Sequence, residues 1–214
     1  FATISLAGRR TAGLSQRWAA RAAKLQRPDQ MSPLALQPER QGRLFATFSF
    51  GELKVVALSD GYADMNTSSL RSPDGGDAPP AVMAEVQLTA GKLRLQVNAF
   101  LIMAPDGNVL IDTGSSSAWR ATTGRIYDAL EEAGVARTAI ATIAITHTHV
   151  DHINGLVMPD GTVAFPAAKA ICVPENELQL FAAESRLAPL SSLVRPLKDG
   201  DRIGKSITAH AAYG

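Results

Sequence analysis

Ile143-Ala144-Ile145-Thr146-His147-Thr148-His149-Val150-Asp151-His152 is the stretch from which the rest of the chain is best read. Ile140, Ile143 and Ile145 have the composition of a buried strand, and four ligand-type side chains follow within six residues. Neutral imidazole and carboxylate are the nitrogen and oxygen donors of catalytic zinc. In an extended or turning segment His147 and His149 project to one side, while Asp151 and His152 come past the bend and are able to face a second ion. Three of the chain's four histidines fall in this window. Surface or capping polar residues rarely concentrate in this way, so metal binding is the expectation. The end of a buried strand is also where open α/β sheets carry their chemistry.

Upstream, Leu44 to Phe50 and Leu53 to Leu58 read as two strands of a hairpin turning at Gly51-Glu52, with Ser59-Asp60-Gly61 closing the second. Asn66 to Ala81 is rich in Ser, Asp, Gly and Pro and reads as a loop. Leu93, Leu95 and Val97 alternate with polar residues before Ala99 to Met103 runs apolar into the Pro105-Asp106-Gly107 turn. Val109 to Ile111 then returns to Asp112-Thr113-Gly114. Ser115 to Ser117 offer helix caps for a helix over Ala118 to Ala133, with Trp119, Ile126 and Leu130 on one face and Gly134 as its stop. Downstream, Ala168 to Val173 is strand-like, Pro174 to Ala183 helix-like, and Ile203 to Ala209 a further strand.

The 214 residues suffice for one substantial domain, and 46% hydrophobic with 19% charged residues suits an α/β protein. The domain is expected over 44–214, with 1–43 a basic extension outside it. Residues 1–28 hold Arg9, Arg10, Arg17, Arg21, Lys24 and Arg27 and no acid, which leaves −5 of the formal +1 for the remainder. No apolar segment follows Arg9-Arg10, so export is not supported and a cytoplasmic protein is expected. Cys172 is the only cysteine, which excludes an intrachain disulfide and thiolate metal sites. No apolar run approaches the ~20 residues of a membrane span.

His-x-His-x-Asp-His after an Ile-rich strand, with Asp112-Thr113-Gly114 upstream, resembles the metallo-β-lactamase superfamily. Val97 to Leu101, the Asp-Thr-Gly turn, and Gly155-Leu156 followed by Phe165-Pro166-Ala167 are similar to its methyl parathion hydrolase and quorum-quenching lactonase-like group. The resemblance implies an α/β fold, the N-terminal half of an αβ/βα sandwich. It implies that His147 and His149 bind a first metal, Asp151 and His152 a second, and that Asp112 supports the site from beneath. Two divalent ions are expected, zinc before others, and a metal-bound hydroxide would attack a lactone, ester or phosphotriester while Asp151 ligates and orients it. Small molecules of those classes are the expected partners, with no nucleic acid and no membrane; a homodimer stays open.

The family's third histidine follows a strand ending in glycine, and Ile207 to Gly214 is similar to that strand. The chain is therefore expected to be cut before the remaining ligands, with His210 a packed or solvated strand residue. The alternatives are an iron-dependent persulfide dioxygenase-type oxidoreductase and a non-catalytic half-domain.

Overall fold

Residues that alternate along a strand point to opposite faces of its sheet, so a strand that is apolar at every position needs cover on both sides. Leu101-Ile102, Val109-Leu110-Ile111 and Ile143-Ala144 are such runs, and the architecture follows from them. The computed structural model of the protein describes residues 2–6, 37–72, 74–116 and 119–212, with side chains from residue 37 onward. The six cations of residues 1–28 lie outside the described residues.

The strands are β1 (Ala2–Leu6), β2 (Arg40–Gln41), β3 (Phe45–Phe50), β4 (Leu53–Met65), β5 (Leu88–Thr89) and β6 (Lys92–Ala104). They continue with β7 (Gly107–Ile111), β8 (Thr142–Ala144), β9 (Ala170–Pro174), β10 (Val194–Leu197), β11 (Arg202–Ile203) and β12 (Ile207–Ala211). Among the described residues, four short α-helices punctuate them: α1 (Pro80–Glu85), α2 (Ile126–Glu132), α3 (Val150–Ile153) and α4 (Leu178–Ala183). Nine strands form one sheet in the order β10-β9-β8-β7-β6-β4-β3-β2, with β5 paired to β6. From β2 to β7 the pairing is antiparallel, and from β7 through β8 and β9 to β10 it is parallel. β1, β12 and β11 form a second, three-stranded antiparallel sheet.

Each face of the large sheet has its own core. Leu58, Leu101, Leu110, Ile143 and Ile171 pack on one side with Ile126 and Leu130 of α2 and with Leu156 and Phe165. Ile102, Val109, Ile111 and Ala144 point to the other side and meet Leu197, Ile203, Ile207 and Ala209. β8 is thus sealed on both faces and flanked by parallel neighbours, which fixes where its C-terminal end delivers the chain. Among the described residues no helix is long and apolar enough to cross a membrane.

Three expected elements differ. The strand expected to close at Ser59-Asp60-Gly61 runs on to Met65, because the register shifts between Ser59 and Gly61 and a bulge absorbs the irregular residue. The helix expected from Ala118 starts only at Ile126. Gly124, at φ 89°, turns the backbone there, and the first amide of the helix, Ile126 N, donates to Asp60 Oδ1 at 2.9 Å, so the cap comes from β4 and not from the serines. Ser117 and Ala118 lie outside the described residues. The strand expected over Ile203 to Ala209 is a tight hairpin of β11 and β12. Within the Asn66 to Ala81 loop, Arg71 bridges to Asp77 and α1 begins at Pro80.

Candidate metal centre

β7 and β8 are parallel neighbours, so their C-terminal ends emerge side by side, and each contributes one strand-end segment to the site. The first is Asp112-Thr113-Gly114. Asp112 has a left-handed backbone, φ 58°, and is only 5% exposed. Such a conformation is uncommon outside glycine and is retained where the surroundings over-determine it. Here the Asp112 amide donates to Ala144 O at 2.9 Å. Its carboxylate accepts from Thr146 N and from Thr146 Oγ1, both at 2.8 Å, and lies 2.8 Å from His152 Nδ1.

The second segment, Thr146 to Gly155, is laid against the first. Thr113 N and Thr113 Oγ1 both donate to His152 O, at 2.9 and 2.8 Å, and Gly155 N donates to Gly114 O at 3.0 Å. Gly155 is there because no side chain fits: a Cβ would stand 1.8 Å from Thr113 O. Gly155→Ala is expected to cost about 3 kcal/mol through forced separation of the two segments. Chemical denaturation checks this, and an unchanged midpoint would contradict the close approach.

The histidines are brought into mutual contact. His147 Nε2 is 3.0 Å from His149 Nδ1, and the rings of His147 and His152 have centroids 3.9 Å apart. His152 Nε2 lies 3.6 Å from Asp151 Oδ2. His147 is buried, His149 is exposed, and Asp151 and His152 are intermediate. Burial first, and then the neighbouring His152 and His149, hold His147 below the usual imidazole range, which favours the neutral form. For His152 burial pulls down, but the Asp112 hydrogen bond and the charges of Asp112 and Asp151 together hold it above its ordinary value. Among the described residues no three His, Cys, Asp or Glu side chains surround one common point; the predicted ligands are in contact pairwise.

Two carboxylates that sequence reasoning missed organise the surroundings. Glu177 Oε2 accepts from Thr148 N at 2.9 Å and from Thr148 Oγ1, and these bonds hold its carboxyl below the ordinary range. Asp60, fully buried, accepts from Ser115 N, Ser115 Oγ and Gly124 N in addition to Ile126 N. An Asp inside a strand-like run and followed by glycine is the faint signal for the second. Nothing in the sequence marks the first except its place just beyond β9. A cleft of about 340 Å³ opens beside the site, with Thr146, His147, Glu177, Lys198 and His210 on its walls. His210 is half exposed and 3.7 Å from Asp199 Oδ1.

Comparison with known proteins agrees with this architecture. The family model described as "Metallo-beta-lactamase superfamily" matches residues 93–159, the span that holds β6 to α3. No curated protein matches the chain in sequence. Among solved structures, the hydrolase AbOPH of the beta lactamase superfamily aligns with a TM-score of 0.63 at 23% identity, over 77% of this chain and 64% of that one. AidC, a dizinc quorum-quenching lactonase in complex with a product, aligns with a TM-score of 0.59 at 21% identity, over 74% and 63%. A probable metal-dependent hydrolase from Staphylococcus aureus gives 0.59 at 17% identity, over 72% and 62%. The chain thus spans less than two thirds of the length of these three. Strand order, the two-faced large sheet and these alignments together give the chain a metallo-β-lactamase fold.

Proposed function

We propose that the protein is a metal-dependent hydrolase acting on a small lactone or other ester, with a phosphotriester the next candidate. The observation that carries the proposal is the contact cluster of His147, His149, Asp151 and His152 at the end of β8, backed by the buried Asp112. The donors suit a divalent metal such as zinc, being imidazole nitrogen and carboxylate oxygen. The spacing of the first pair suits it too: two nitrogens on one tetrahedral zinc, each about 2.0–2.1 Å away, lie ~3.3 Å apart, against 3.0 Å between His147 Nε2 and His149 Nδ1.

In this reading His147 and His149 hold one ion, and Asp151 and His152 the other. Bound divalent metal lowers the pKa of water and polarises the scissile group. The chain's own residues do the positioning. Asp112 accepts the Nδ1 proton of His152, which aims the lone pair of Nε2 toward the side of Asp151. The same carboxylate holds Thr146, and with it the start of the loop, through two hydrogen bonds. The cleft beside His147 is of a size to take a small ester.

His149→Ala is expected to lower the metal content of the purified protein well below that of His210→Ala, since the first removes a donor of the cluster and the second a half-exposed strand residue paired with Asp199. Elemental analysis decides this, and equal losses would overturn the assignment. Assays of the parent protein on acyl lactones, aryl esters and phosphotriesters test the substrate order: fastest turnover of the phosphotriester would reverse it, and absence of all three activities in metal-replete protein would refute it.

A further inference from the structure

We infer that Glu177 is a positioning residue for the first metal pair, acting through Thr148; the inference rests on His147 and His149 being ligands. Glu177 ends the turn Glu175–Glu177 that follows β9, and β9 is the parallel neighbour of β8. The two chain ends therefore leave the sheet on the same edge, and a carboxylate 29 residues further along the chain reaches the histidine loop. It takes hold of the residue between the two histidines. In extended chain, side chains alternate, so fixing Thr148 toward Glu177 turns His147 and His149 together to the opposite side. His149 is itself extended, at φ −65° and ψ 152°.

Both donors of Thr148 are used by one oxygen: the backbone N–H donates to Glu177 Oε2 at 2.9 Å, and the hydroxyl donates to the same atom. A carboxylate held by two donors from one residue defines that residue's rotation as well as its place. The arrangement matters because Asp112 takes hold of the loop at other residues. Asp112 fixes Thr146 and His152, on either side of the pair, and Thr146 Oγ1 in turn lies 3.1 Å from His147 Nδ1. His149 is exposed, so packing does little to set its direction. Glu177 adds a constraint at the middle of the His-Thr-His segment.

The test measures zinc affinity by competition with a chromophoric chelator, and the visible spectrum of the cobalt-loaded protein, in Glu177→Ala, Glu177→Gln, Thr148→Val and Thr148→Ser. Glu177→Ala is expected to weaken zinc binding by about tenfold to a hundredfold, the usual effect of removing an outer-shell partner, and to change the cobalt bands. Glu177→Gln, whose amide oxygen still accepts, and Thr148→Val, which keeps the backbone donor, should show intermediate losses, while Thr148→Ser should restore the parental spectrum. The melting temperature of the metal-free variants should stay within a few degrees of the parent, separating positioning from folding. His147→Ala is the reference: if it loses zinc while Glu177→Ala, Glu177→Gln and Thr148→Val keep the parental affinity and spectrum, the positioning role is overturned alone. If His147→Ala keeps its zinc, the ligand assignment falls and the inference falls with it.

Discussion

Asp60→Ala should destabilise the protein by about 4 kcal/mol or more, among the largest effects of any single change. Charge-assisted hydrogen bonds are worth about 1.5–3 kcal/mol each, and buried donors left without an acceptor cost more than the bond itself contributed. Asp60 accepts four, from Ser115 N, Ser115 Oγ, Gly124 N and Ile126 N, in a setting with no solvent exposure to replace it. The four donors come from two places, the turn after Gly114 and the entry to α2 at Gly124 and Ile126, so the carboxylate ties both to β4. The carboxylate also fills its space closely: a Cβ on Gly114 would stand 2.6 Å from Asp60 Cγ. Asp60→Asn should be milder, since its oxygen keeps some of the donors while its amide opposes the others. Urea unfolding of parent and variants measures the difference, and a midpoint for Asp60→Ala equal to the parent's would contradict this role.

Asp112→Ala should act on the site more than on the fold. Its carboxylate takes both donors of Thr146 and the Nδ1 side of His152, and removing it frees the histidine ring and the start of the loop together. Loss of an outer partner of a ligating histidine typically costs tenfold to a hundredfold in metal affinity. A loss of about a hundredfold is expected here, because two anchors go at once. Asp112→Asn should recover part of it through the Thr146 amide, which its oxygen still accepts. Replacement also relieves nothing in the backbone, since alanine is no better suited than aspartate to φ 58°. Zinc competition titrations check the expectation, and parental affinity in Asp112→Ala would refute it.

The part of the site that was legible in the sequence is the part written contiguously. His147, His149, Asp151 and His152 announce themselves as candidates by spacing after an apolar run, while Asp112 enters only through the family resemblance. The alternation through β6 and β7 likewise located the central strands to within a residue or two. What was not legible depends on partners far apart in sequence. Thr148 and Glu177 are 29 residues apart, and Asp60 reaches donors 55 to 66 residues away. No local period or propensity encodes such a meeting; it follows only once β8 and β9, or β4 and α2, are packed together. The late start of α2 has the same origin. Ser115 to Ser117 carry a genuine capping signal, but Ser115 is engaged with Asp60 and the acceptor for the helix amide comes from β4. A tertiary cap replaced a local one.

The central claim is that residues 147–152 supply two metal sites, with His147 and His149 in one and Asp151 and His152 in the other. Calorimetric titration of chelator-treated protein with zinc tests it most directly. The parent should take up two ions in resolvable steps, His147→Ala and His149→Ala should lose the same step, and Asp151→Ala and His152→Ala should lose the other. Equal zinc uptake by the parent and all four variants, or no uptake by the parent, would contradict it.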